Sequence, residues 1–317
     1  MTSPVAGNAN AGRVARVVAQ AKLNLMLRIH AREGAGYHGL ETLFCRLALG
    51  DDVEVRALEG GERTLDVTGA DTGPVERNLA WRAALAFQAR AAWPAGFAIR
   101  IGKRIPVGGG LGGGSADAGA VLRALNALAP RALPEAELLE IALSLGSDVP
   151  FMATTAPLAL AWSRGERMVA LPALPARRAV LATFPAGVAT ADAYGWLAES
   201  RPAWRPMAAM LDPRALASWE GVRALAVNDF EPVVFARRAE IGQVRAALAG
   251  DPRMREADTD AATAVTLMSG SGATVFRVDD GAPTLAALAA RVRQATPEAW
   301  LVETTTAESV VGVEIGG

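Results

Sequence analysis

Six glycines fill the seven positions from Gly108 to Gly114, interrupted only by Leu111. Glycine has more backbone freedom to lose than any other residue, so ordering such a run is costly. It persists where the chain passes too close to something for a Cβ. Ser115 to Ala129 follows, with Val121, Leu122, Leu125 and Leu128 on one helical stripe. The first amides of a helix lack partners within it, and its positive dipole end points back into the preceding loop. Loop and helix start together predict an anion cradle of neutral backbone, suited to a polyphosphate. Ser115 is expected to cap the helix or to offer its hydroxyl to a phosphate or metal ion. The stretch is not a Walker A loop, since no Gly-Lys-Ser/Thr ends it. Gly108-x-Gly110-x-x-Gly113 has dinucleotide-fold spacing, but no βαβ context and no acidic ribose partner accompany it.

Bulk charge would not draw an anion to this chain. With 32 basic and 33 acidic residues the net charge is −1, so no global field favours nucleic acid or an anionic membrane. The length of 317 residues predicts two domains. One cysteine, Cys45, excludes an intramolecular disulfide framework and reads as a small buried hydrophobe. Met1 to Gly12 reads as a frayed terminus and not a signal peptide. No apolar run is long enough for a transmembrane helix. A cytoplasmic protein, monomer or weak homodimer, is expected. Of the basic residues only Lys22 and Lys103 are lysine. In a chain that otherwise uses arginine, a retained lysine points to a need for a compact ammonium.

Strands and helices alternate without a repeating βαβ cadence, which favours α+β. Arg13 to Val18 leads into a strand with Leu23, Leu25, Leu27 and Ile29 on its core face. Lys22, Asn24, Met26 and Arg28 fall on a polar face. Further strands are predicted over 52–57, 64–68, 97–101, 158–162 and 179–184. Helices are predicted over 78–91 (Asn78 as cap), 134–145, 190–198, 232–249 and 284–294. Strands over 264–268 and 273–278 flank a Gly-Ser-Gly turn, and 300–305 closes the pattern. The Pro-rich stretch 171–177 marks the boundary between domains 1–172 and 173–317.

The segment from Pro106 through Asn126 resembles the ATP-binding motif of the GHMP small-molecule kinases. Further pieces agree in family order: Ala21-Lys22-Leu23-Asn24-Leu25, Gly36-Tyr37-His38-Gly39, Gly146-Ser147-Asp148-Val149-Pro150, Asn228-Asp229-Phe230-Glu231-Pro232 and Met268-Ser269-Gly270-Ser271-Gly272-Ala273. Two departures stand out: Ala116 replaces a second serine, and Gln20 stands where proline is common. The resemblance implies a two-domain fold, with a ribosomal-S5-like nucleotide domain, a ferredoxin-like second domain and the active site in the cleft between them. It implies γ-phosphoryl transfer from ATP, with Mg²⁺ assisting, to the hydroxyl of a small diphosphocytidyl substrate. ATP would be held by Pro106, Val107, Gly108, Gly109, Gly110, Leu111, Gly112, Gly113, Gly114, Ser115 and Ala116. Lys22 and Asp148 would be catalytic, with Asp148 orienting the acceptor hydroxyl and Lys22 holding Asp148 ionised.

Given a cytidine-bearing acceptor, Tyr37 and His38 suit cytosine, one ring stacking and the other pairing with its polar edge. Tyr194 offers a second aromatic platform, and Asn24 a hydrogen bond to substrate. Asp117, in the first helical turn, either faces away from the phosphates or approaches them through a metal. Lys103 and Arg104 read equally as phosphate partners and as solvated charges. His30 reads as structural, and Asn228-Asp229 as a helix-start signal.

Overall fold

The computed structural model describes residues 13–32, 38–200, 212–250 and 264–316. Two long strands organise the first half: β1 (Val14–Arg32) and β2 (His38–Leu58) pair antiparallel along most of their length. β3 (Arg63–Thr68) and α1 (Leu79–Ala91) follow, with the Asn78 side chain accepting from the Ala80 amide at the helix start. β4 (Gly96–Gly102) then pairs with the second half of β2 and, in parallel, with β3. Past the glycine loop come α2 (Gly113–Leu128), α3 (Glu135–Leu145) and a short α4 (Val149–Ala153). β5 (Leu158–Ser163) pairs with the first half of β2, and β6 (Arg167–Leu171) with β5.

The second half builds a separate sheet in the order β10-β7-β9-β8. Its strands are β7 (Arg178–Thr183), β8 (Val265–Met268), β9 (Val275–Asp279) and β10 (Trp300–Thr305). Its helices are α5 (Thr190–Ser200), α6 (Trp219–Leu225), α7 (Glu231–Arg237), α8 (Ala239–Ala249) and α9 (Leu285–Ala295). A last strand, β11 (Glu314–Gly316), returns to pair with β1. The α+β reading agrees with these mixed sheets and helices. The Pro-rich stretch falls between β6 and β7.

Three expectations need correction. The predicted helix over 232–249 is two helices, broken at Arg238, whose φ of −131° and ψ of 70° leave the helical region. Val234, Ile241, Val244 and Leu248 are nonetheless all buried, so the apolar stripe survives the break. The polar face of β1 is not solvent-facing: Lys22, Asn24 and Met26 are as buried as Leu23 and Leu25. Register shifts between Gln20 and Lys22 and between Asn24 and Met26 interrupt strict alternation. Leu23 and Leu25 join the first core, whereas Leu27 and Ile29 join the second, around Val180, Phe230 and Val275. β1 therefore passes from one core to the other, and Lys22 and Asn24 sit just before the crossing. Third, α2 starts two residues earlier than predicted, with Gly112 rather than Ser115 at its N-cap.

Candidate active site

The glycine loop is pinned on both sides. The Lys22 amide donates to the Leu111 carbonyl at 3.0 Å, which ties the loop to β1. The Ser269 hydroxyl donates to the Gly110 carbonyl at 2.9 Å, and the Thr274 amide to the Gly109 carbonyl at 3.2 Å. The Gly270-Ser271-Gly272 turn, expected as a hairpin turn or as a close approach to substrate, thus docks against the first glycine loop. A Cβ at Gly110 would lie 2.1 Å from the Ser269 carbonyl oxygen. One at Gly112 would meet Lys22 Cε and Cγ at 3.1 Å and Met152 Cε at 3.0 Å. Both residues have positive φ, 76° and 71°. Here the glycines are explained by close approach as well as by conformation.

Pro106 through Ser115 line a cleft of about 330 Å³, together with Thr72, Asn78, Lys103 and Asp117. The first bond of α2 runs from the Ala116 amide to the Gly112 carbonyl at 2.8 Å. Ahead of it the amides of Gly113, Gly114 and Ser115 form the open end of the helix. Ala116 differs from the rest of the expected set: its amide is bonded and its methyl is buried in the first core. It offers the cleft neither donor nor hydroxyl. A larger cleft of about 500 Å³ lies elsewhere, over β1, β2 and β4, and includes none of the motif residues.

Lys22 and Asp148, 126 positions apart, meet beside the loop. Lys22 Nζ lies 3.3 Å from Asp148 Oδ2. The lysine side chain is 4% exposed and the aspartate 32% exposed. Asp148 occupies the N-cap of α4 yet makes no side-chain cap bond, so its carboxylate stays turned to Lys22 and solvent. Asn24 is buried beside the pair. Its Oδ1 accepts from Lys22 Nζ at 2.6 Å and its Nδ2 donates to Thr42 Oγ1 at 2.8 Å. Asn24 thus links the Lys22 ammonium to Thr42. The Phe44 ring lies below the ammonium, 5.7 Å from Nζ to centroid.

Tyr194, on α5, packs edge-on against Phe230 with centroids 5.0 Å apart. Burial, and after it the Asp148 carboxylate, push its phenol up. His38 opens β2 opposite Arg32. Tyr37 lies outside the described residues. Asn228 is architectural, as expected: its Nδ2 donates to the Met268 and Gly270 carbonyls and its Oδ1 accepts from the Phe230 amide. His30 sits 3.3 Å from Glu41 on the neighbouring strand.

Lys103 is not a solvated charge, although it lines the cleft. Its side chain is 3% exposed and bonded to both Asp51 and Asp117. One ammonium neutralises one carboxylate. Asp51 also accepts from the Arg104 and Ile105 amides. Asp117 has a buried Oδ1 with no partner, and burial, opposed by Lys103, pushes its carboxyl up to about 7. Asp117 therefore faces Lys103 beneath the loop. Sequence reasoning missed Asp51, whose only local signal is an acid repeated at positions 51 and 52. Among the described residues no three His, Cys, Asp or Glu side chains cluster as a metal site.

Residues 78–155 match the family described as the GHMP kinases N terminal domain. The chain is 36% identical over 296 residues to 4-diphosphocytidyl-2-C-methyl-D-erythritol kinase of Pelotomaculum thermopropionicum, covering 92% of this chain and 98% of the relative. A kinase of the same name from an Anaeromyxobacter species is 43% identical over 270 residues, 82% of this chain and 81% of the relative. A crystal structure of 4-(cytidine 5'-diphospho)-2C-methyl-D-erythritol kinase superposes with a TM-score of 0.69 at 32% identity. That match covers 92% of this chain and 98% of the other.

Proposed function

This chain belongs to the 4-diphosphocytidyl-2-C-methyl-D-erythritol kinases of the GHMP superfamily, and from that premise we propose how its residues carry out the reaction. The enzyme transfers the γ-phosphoryl group of ATP to the 2-hydroxyl of 4-diphosphocytidyl-2-C-methyl-D-erythritol, giving the 2-phosphate and ADP. The new O–P bond forms as the bond to the β-phosphate oxygen breaks, and that oxygen keeps the electron pair in ADP. The observation that carries the mechanism is the Lys22–Asp148 pair set beside the glycine cradle.

Backbone amides of the loop and the open end of α2 hold the phosphates without a counter-charge of their own. Asp148 accepts a hydrogen bond from the acceptor hydroxyl, orients it in line and takes its proton late in transfer. Lys22 pairs with the Asp148 carboxylate and faces the charge moving through the transition state. Asn24 aims that ammonium. Mg²⁺ brought with the nucleotide would supply charge neutralisation at the phosphates, and the Ser115 hydroxyl, which lines the cleft, would help to hold it. Tyr37, His38 and Tyr194 form the cytosine end of the acceptor site.

The two domains, 1–172 and 173–317, contribute the two sides of the cleft: Lys22, Asp148 and the cradle from the first, Tyr194 and the Ser269–Thr274 turn from the second. A cytoplasmic monomer or weak homodimer fits the near-neutral charge, and among the described residues no helix is long and apolar enough to cross a membrane. No nucleic-acid partner belongs to the reading. The test is ADP release by the purified chain with a panel of acceptors. Release should depend on the diphosphocytidyl acceptor, whereas turnover with homoserine or mevalonate alone would refute the assignment.

A further inference from the structure

Arg46 is among the largest fully buried side chains of the protein, at 1% exposure, and among the described residues no carboxylate pairs with it. Its charge is met by carbonyls instead. Nη2 donates to Phe151 O at 2.7 Å, Thr154 O at 3.0 Å and Met152 O at 3.2 Å. Nε donates to Ala156 O at 3.1 Å. The guanidinium also lies 4.7 Å above the Phe151 ring. These acceptors lie at the end of a helix and just beyond it; Phe151 O also accepts from the Thr154 amide and hydroxyl, whereas the other three carbonyls turn to the guanidinium. The helix concerned is α4, and the residue at its other end is Asp148. Burial, and after it the Arg123 charge, push the guanidinium down to about 9, which still leaves it cationic at neutral pH.

The strand that carries Arg46 bears on the same pair from the other side. Arg46 and Lys22 are facing residues on β2 and β1, so their side chains leave the same face of the sheet. Phe44, two residues back on β2, lies under the Lys22 ammonium and stacks on Phe151 of α4 at 4.9 Å. One rung of the β1–β2 ladder therefore holds Lys22 directly and holds the far end of α4 through Arg46. A five-residue helix has too few internal bonds to keep its own orientation. Without the guanidinium, the Met152, Thr154 and Ala156 carbonyls lose a donor in the interior, and the peptide must turn to find others.

We propose that Arg46 is a positioning residue for phosphoryl transfer: by gathering the carbonyls at the end of α4 it sets Asp148 against Lys22. The inference rests on the role given to Asp148 above. A shift of the acceptor-orienting carboxylate by about 1 Å costs up to about 100-fold in rate. The hydrogen bonds that hold the nucleotide cradle run to β1, Ser269 and Thr274, and α4 meets it only by packing of Met152 near Gly112. Arg46→Met should therefore lower kcat about 10- to 100-fold and leave KM for ATP within about 3-fold. Arg46→Lys, with fewer donors and no fork, should fall between.

The deciding measurement is a double-mutant cycle with Asp148→Asn, run on folded protein as judged by near-UV circular dichroism. A residue acting through Asp148 has little left to contribute once that carboxylate is gone, so Arg46→Met should change kcat less than about 3-fold in the Asp148→Asn background. An equal fold-loss in both backgrounds would mean general loosening and would overturn the proposal. So would a wild-type kcat in the single variant. If Arg46→Met does not fold, Arg46→Lys enters the same cycle with the same two readings. Failure of the wild-type chain to release ADP with the diphosphocytidyl acceptor is a separate outcome, and it removes the functional reading along with this one.

Discussion

A buried ammonium needs a partner, because desolvating an unpaired charge costs several kcal/mol. Lys22 has Asp148, Asn24 and a ring face; Lys103 has two carboxylates. The second case leaves an unneutralised acid, and Asp117 takes it up by keeping a proton. Between the ordinary carboxyl value of 3.8 and about 7 the folded chain holds a proton that the unfolded chain has released. Stability from this group is thus fully present below that window and falls as pH rises through it. Asp117→Asn should flatten the decline between pH 5 and pH 7 in urea unfolding; an unchanged slope would show that Asp117 is ionised throughout. Lysine scarcity drew attention to both lysines and did not separate their roles. Lys22 adjoins the Lys-Leu-Asn motif, whereas the acids that occupy Lys103 lie 52 positions before it and 14 after. Asp117 could be seen as awkward in the sequence, but only coordinates pair it with Lys103 and Asp51.

At the scale of elements, the glycine loop was legible because a local run of one residue type has one strong physical reading. Its docking partners were not, since the Ser269–Thr274 turn comes some 160 residues later. β1 was read as a strand with a wet face because alternation cannot reveal a bulge or a second buried layer. The break at Arg238 was equally hidden, because the apolar stripe continues across it. Loop geometry makes a prediction of its own. Gly112→Ala places a methyl at φ +71° and against Lys22 and Met152, costing about 1–2 kcal/mol for the left-handed backbone alone. Urea unfolding should report that loss and kcat should fall with it, whereas Gly61→Ala, in open space, should change neither. Equal behaviour of the two variants would mean that the loop tolerates side chains.

Over the whole molecule, the site exists because two sheets meet at one loop. Gln20, which stands where proline is common, helps to close the arrangement: its Oε1 accepts from the Val311 amide, and its Nε2 donates to the Leu47 and Ser309 carbonyls. The C-terminal segment is thereby fastened to β1 and β2 ahead of β11, a long-range contact no local pattern announces. The α+β class and the order of the motifs could be read from the chain; the way its two ends lock together could not. The convergence itself is tested most directly by single-turnover transfer from ATP to 4-diphosphocytidyl-2-C-methyl-D-erythritol in the wild type, Lys22→Ala and Asp148→Asn, with ADP affinity measured alongside. Each substitution should slow transfer by about 10²- to 10⁴-fold while ADP affinity changes less than about 3-fold. Transfer at the wild-type rate in Asp148→Asn would contradict the mechanism.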